Sequence, residues 1–168
     1  MALTYVAIST VTVGSGGAAN IEFTSIPATY TDLLIKISAR NETAGNSGIF
    51  IQFNGSTSNF TNKYLEASGS TVYSGSFARY LGTEVAAGQT ANTFSNGEVY
   101  IPNYAGSNNK SFSADDVSEN NATQAYATLT AGLWSNSSAI TSIKLTLVGV
   151  EEFNQYSTAT LYGIKNTV

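Results

Sequence analysis

Apolar residues in this chain recur at every second position over short runs, and each run breaks at a cluster of Gly, Asn and Ser. A strand alternates its side chains between two faces, so this spacing marks half-buried β-strands, and no stretch carries the 3.6-residue period of a helix. Leu33, Ile35, Ile37 and Ala39 alternate with Lys36, Ser38 and Arg40; Ile49, Ile51 and Phe53 with Phe50, Gln52 and Asn54; Ile143, Leu145 and Leu147 with Lys144, Thr146 and Val148. Ile21 and Phe23 share a core face, which places Glu22 on the solvent side of its strand. In the first strand, Thr4 to Val13, the alternation slips near Ser9-Thr10, as a β-bulge would make it. Gly14-Ser15-Gly16-Gly17 then turns the chain as a hairpin or a corner between sheets. Pro27 interrupts pairing because it has no backbone donor. Asn54-Gly55 is a hairpin-type turn signal. Further strands are expected over Lys63 to Ala67, Phe77 to Leu81, Gly97 to Pro102, Ser111 to Val117, Ala125 to Trp134 and Thr158 to Lys165. About ten short strands at this spacing predict an all-β, jelly-roll-like two-sheet sandwich, one domain over 1–168, with an immunoglobulin-like sandwich as the alternative. The nearly uncharged segments 82–96 and 103–110 are expected to be exposed, mobile loops.

Composition decides what such a sandwich cannot do. The chain has neither His nor Cys, which excludes disulfides, thiolate chemistry, zinc sites and imidazole acid/base work. Charged residues make up 11 %, against an ordinary share of about 25 %. With a net charge of −4 and only Arg40 and Arg79 as guanidinium groups, it has no means of neutralising a phosphate backbone, so nucleic acid is not an expected partner. No apolar run approaches a membrane span, and Met1 to Tyr5 lacks the basic start of a signal peptide, so no membrane is expected either. In place of charge stand 21 Ser, 21 Thr and 16 Asn, with ten Tyr and eight Phe to build a core.

The motifs are few. Gly14-Ser15-Gly16-Gly17-Ala18-Ala19 matches the spacing of a dinucleotide fingerprint, but strand-like Ile21-Glu22-Phe23-Thr24 follows where a helix must start, so no cofactor is expected. Glu84, Glu98, Asp115, Asp116, Glu119, Glu151 and Glu152 are the later candidates for a glycosidase pair; none sits in a motif, and the expectation is ordinary surface carboxylates and no catalytic residues. Asp115-Asp116-Val117-Ser118-Glu119 could supply oxygen ligands to calcium but lacks the glycine turn of a calcium loop, and no metal site is expected. Four aromatic residues, Trp134, Tyr126, Tyr100 and Tyr104, are candidates for stacking on a glycan or packing in a subunit interface, with Tyr80 and Tyr73 similarly ambiguous. For Trp134 the preferred expectation is burial in the core or in an interface.

Three stretches carry a resemblance: Ile21-Glu22-Phe23-Thr24-Ser25-Ile26-Pro27-Ala28-Thr29-Tyr30-Thr31-Asp32-Leu33, then Val99-Tyr100-Ile101-Pro102-Asn103-Tyr104, then Tyr156-Ser157-Thr158-Ala159-Thr160-Leu161-Tyr162-Gly163-Ile164-Lys165-Asn166. Together they resemble small virion structural proteins of marine tailed bacteriophages. The resemblance implies a β-sandwich on the virion surface, made in the host bacterial cytoplasm: a head decoration (cement) protein that binds the major capsid protein as a homotrimer, or a component of tail fibres or tail tip that binds host-surface glycan. Decoration is the expected role, because the sequence shows no coiled-coil shaft or collagen-like stalk. Met1 to Tyr5 and the loops 82–96 and 103–110 are the expected contact segments.

Overall fold

The computed structural model describes residues 4–45, 47–119 and 125–165. Twelve strands carry the described chain, with no helix: β1 Thr4–Thr12, β2 Asn20–Phe23, β3 Asp32–Ser38, β4 Ser47–Phe53, β5 Phe60–Ser68, β6 Thr71–Gly75, β7 Tyr80–Glu84, β8 Asn96–Ile101, β9 Lys110–Glu119, β10 Ala125–Trp134, β11 Ile143–Leu147 and β12 Thr158–Lys165. They form an eight-stranded sheet in the order β1-β12-β3-β8-β9-β10-β5-β6 and a four-stranded sheet in the order β2-β11-β4-β7. All strand pairs are antiparallel. The chain belongs to the all-β class predicted from its alternation.

The strand order contains a jelly roll. The quartet β1-β12-β3-β8 faces the quartet β2-β11-β4-β7, and the chain passes from one sheet to the other along β1-β2-β3-β4 and again at β7-β8 and β11-β12. Two hairpins interrupt that circuit. β5–β6 is inserted between β4 and β7, and β9–β10 between β8 and β11, and the two hairpins pair through β10 and β5 to extend one sheet from four strands to eight.

The core lies between the sheets, where Ile21, Phe23, Leu33, Ile35, Ile49, Ile51, Leu145 and Leu161 are buried at the predicted alternate positions. Each such side chain contributes about 1.5–3 kcal/mol by leaving water. At one end of the layer the core turns aromatic. Trp134 stacks on Phe60 at 6.0 Å and meets Phe53 edge-on at 5.6 Å, with Phe112 closing the cluster.

Several expectations are corrected. There are twelve strands rather than ten: β6 escaped because all but its last residue are exposed, leaving no buried parity to see. The bulge in β1 falls between Ala7 and Ser9, slightly earlier than the sequence placed it. Asn54 and Gly55 both have positive φ, as the turn signal requires, but only Phe53 and Ser56 bridge before the chain leaves for the other sheet, so the turn is a corner and not a hairpin. Segment 82–96 is not an open loop: β7 runs into it, and Leu81, Gly82, Thr83, Glu84, Val85 and Ala86 are all buried. Its remainder is pegged by the buried Arg40, whose guanidinium donates to the carbonyls of Ala87, Gln89, Thr90 and Thr93. In 103–110, Tyr104 and Lys110 are buried, and the Lys110 ammonium donates to the carbonyls of Gly106 and Asn108.

Candidate functional site

The four aromatic candidates do not converge. Trp134 and Tyr126 both belong to β10, eight residues apart, which in a strand is about 26 Å. Trp134 is fully buried in the aromatic cluster, the core placement preferred from the sequence, so no sugar ring can lie on it. Tyr126 shares the inward parity of Thr128 and is half-buried near the other end of the layer. Tyr104 is buried, and its hydroxyl donates to the Pro27 carbonyl, tying the loop after β8 to the loop before β3. Tyr100 alone faces outward, and its hydroxyl donates to Asp32 at 2.9 Å. Of the other two, Tyr73 is exposed on β6 and Tyr80 is buried.

The carboxylates divide by strand parity. On β9, Asp115, Val117 and Glu119 point outward, whereas Asp116 and Ser118 point inward, so the run cannot converge on one cation. Glu98 forms an ion pair with Lys36 across β3–β8, and Glu22 with Lys144 at 3.4 Å across β2–β11; the lysines serve as surface groups. Among the described residues no group of three or more acidic side chains has the geometry to hold a metal.

Glu84 and Asp116 overturn the expectation of surface carboxylates. Both are buried between the sheets, at 0 % and 3 % exposure, where β7 packs against β9 and β10. Asp116 lies so close over Gly82 that a Cβ there would stand 2.2 Å from the Cβ of Asp116. Glu84 accepts a hydrogen bond from Asn41 Nδ2 at 2.9 Å through one oxygen and has no partner for the other. Neither oxygen of Asp116 makes a normal hydrogen bond, although the Thr83 amide is near enough to favour the ionised form. Burial pushes Glu84 up to about 8 and Asp116 up to about 7, and the charges facing them, Asp116 and Glu151 for the first, Asp115 and Glu66 for the second, push the same way. Beside them the Tyr80 hydroxyl donates to Glu66, and Thr83 and Thr128 hydroxyls donate to the same carboxylate oxygen. Burial first, and the Glu66 carboxylate second, raise the Tyr80 phenol. Sequence parity could have found this polar seam: Asp116 sits on the same face of β9 as Phe112 and Ala114.

The outer face of the eight-stranded sheet is accessible, and nothing among the described residues covers it. Around Tyr5, Tyr162 and the Lys36–Glu98 pair lies a shallow depression of about 310 Å³ floored by Leu34. Across the two inserted hairpins the same face is apolar: Leu65, Val72, Val117 and Leu129 stand on four adjacent strands at 55, 71, 46 and 62 % exposure. Between these larger side chains run furrows floored by Ala67 and Ala127 on one side and by Ala131 and Ser113 on the other, of about 280 and 580 Å³. Such a surface is built for contact. Comparison with known proteins finds no matching family model, no matching curated protein and no matching solved structure.

Proposed function

We propose that this chain is a non-enzymatic structural protein of a tailed-phage virion, a decoration protein that binds and stabilises the major capsid lattice from the virion surface. The observation that supports this is the uncovered outer face of the extended sheet, sparsely charged, hydroxyl-bearing and apolar by turns, on a jelly roll. The resemblance in the stretches 21–33, 99–104 and 156–166 supplies the virion, since a jelly roll serves capsid proteins and lectins alike and does not choose between them. The action is mechanical: a rigid sandwich spans neighbouring capsid subunits, and several simultaneous contacts multiply a modest affinity. Three copies gathered at a lattice symmetry point would present three such faces. Of the expected contact segments, Thr4 and Tyr5 are exposed on the edge strand β1, while Met1 to Leu3 lie outside the described residues. Cryo-electron microscopy of the virion tests this: density for the chain on the head is expected, and density on the tail alone overturns it.

A second reading, a tail-fibre or tail-tip module that binds host-surface glycan, draws on the depression between Tyr5 and Tyr162, where an aromatic ring and an ion pair could meet a sugar. Host polysaccharide should then bind the wild type saturably and Tyr5→Ala more weakly, and leave Trp134 fluorescence unchanged. Absence of saturable binding in a glycan array sinks it.

A further inference from the structure

The outer face of the four-stranded sheet carries a cavity of about 820 Å³. Its lining comes from three places: Phe77 and Arg79 just before β7, Phe50 and Gln52 on β4 with Thr146 on β11, and Glu151 and Glu152 after β11. Arg79 is held there against its backbone preference. Its φ of 71° lies in the left-handed region, which a residue with a long side chain rarely adopts and which recurs at ligand clamps. Its carbonyl accepts from the Ile51 amide at 3.0 Å, and the Tyr80 amide donates to the Phe77 carbonyl at 3.0 Å. Beside it the β4–β7 ladder slips, with Phe50 opposite Tyr80 and Ile49 opposite Gly82, so that Leu81 is the extra residue of a bulge. The guanidinium lies over the Phe50 ring, 5.5 Å from its centroid. Among the described residues it makes no ion pair, and its buried Nη1 has no hydrogen-bond partner. Burial lowers its pKa, with no carboxylate near enough to offset the loss of water. Arg40, the other guanidinium of the chain, spends its donors on loop carbonyls and holds the fold together. Arg79 has no such structural employment.

We propose that this cavity binds a sugar residue bearing a carboxylate, with Arg79 as the group that pairs with it. A planar guanidinium with unused donors matches a carboxylate, and the ring against which it lies fixes its orientation. Phe77, exposed and packed edge-on against Phe50 at 5.0 Å, offers an aromatic surface beside the guanidinium for the apolar face of a pyranose ring. Gln52 and Thr146 bring an amide and a hydroxyl to the same cavity, the few polar groups that fix a sugar's orientation. Glu151 and Glu152 select among anions. Their negative charge in the lining repels a polyphosphate or a second acidic group, whereas sugar hydroxyls can donate to carboxylates. The cavity is on the opposite sheet from the Tyr5 depression and from the apolar face of the inserted hairpins, so it stands whichever of those surfaces attaches the chain.

Isothermal titration calorimetry of the purified chain tests this, with glucuronate, galacturonate, mannuronate and guluronate as probes and the matching neutral hexoses, acetate and inorganic phosphate as controls. At least one hexuronate should bind saturably, with a dissociation constant on the order of 1 mM or below, and its neutral hexose and acetate should each bind about tenfold more weakly or worse. Arg79→Gly removes the guanidinium and relieves the left-handed backbone. It should therefore abolish binding while the melting temperature holds or rises, the reverse of what loss of a structural residue gives. Arg79→Asn, which also tolerates that backbone, should behave alike. Phe77→Ala should weaken the hexuronate by about fivefold or more and leave the response to acetate unchanged. Hexuronate binding that survives both Arg79 variants overturns the proposal. So does acetate or phosphate that binds as tightly as any hexuronate, or the absence of saturable binding by all four at about 10 mM.

Discussion

A single tryptophan and two acids show how much one residue's depth decides. Trp134 fills the aromatic end of the core, so Trp134→Ala should cost about 3–5 kcal/mol, a loss read directly in a urea unfolding curve. Its emission should be blue-shifted in the native chain and unresponsive to added glycan. Glu84 and Asp116 act through pH. In the unfolded chain both ionise near pH 4, whereas in the sandwich they hold their protons up to about pH 8 and about pH 7. Their stabilising contribution is therefore complete below about pH 4 and is lost as pH rises through about 7 to 8, at up to about 1.4 kcal/mol per group per pH unit. Urea midpoints taken from pH 4 to 9 should fall and then level off. Glu84→Gln and Asp116→Asn keep the volume and remove the titration, so each should flatten the fall. A midpoint that rises from pH 5 to 8 would show that both carboxylates are ionised in the fold. The sequence read Trp134, a large aromatic near a strand end, as a core or interface residue, but it set Arg40 on the face opposite Leu33, Ile35, Ile37 and Ala39 and gave no sign that Lys110 is buried. A cation among uncharged loop residues reads as surface, and only the folded chain shows its guanidinium or ammonium turned inward onto loop carbonyls.

At the scale of strands, legibility followed burial. β10 and β12 were read to the residue, Ala125 to Trp134 and Thr158 to Lys165, the latter from its β-branched and aromatic residues, and β3, β4 and β11 declared themselves through apolar alternation, because each buries one face or both. β6 has no buried face to advertise, and β7 is buried throughout, so neither alternates. The sheet each strand joins was not legible, since Asn54-Gly55 gives the same local turn whether the next strand returns to its neighbour or crosses the sandwich. Close approach between neighbouring strands adds a further constraint at Gly132. A Cβ at that position of β10 would stand 2.1 Å from the Phe112 ring on β9, directly across the pair. Gly132→Ala must push Phe112 off the aromatic cluster, and a destabilisation of about 1–3 kcal/mol is expected. The matching measurement is the melting temperature. Restoring it with the compensating Phe112→Leu in the Gly132→Ala background would identify the ring as the obstruction.

The whole molecule is sparsely charged, with a net charge of −4. Seven basic and eleven acidic residues are spread over 168 positions, and among the described residues five ionic groups lie inside: Arg40 and Lys110 under loops, Asp32 at the start of β3, and Glu84 and Asp116 in the seam. Two more pairs cancel at the surface. What remains outside has little field with which to steer a partner, so an assembly built on this surface draws its affinity from apolar contact and hydroxyl hydrogen bonds, over a face that spans eight strands. Salt screens charges over about 8 Å at physiological ionic strength but does not weaken apolar burial. If the chain decorates a capsid as proposed, occupancy of purified heads should therefore change by less than about threefold between 50 and 500 mM sodium chloride. Leu129→Asp, if that face is turned to the capsid, should lower occupancy at every salt concentration. Binding that collapses as salt rises would mean that a few exposed charges, Lys63 and Asp115 foremost, carry the attachment instead of the neutral face around them.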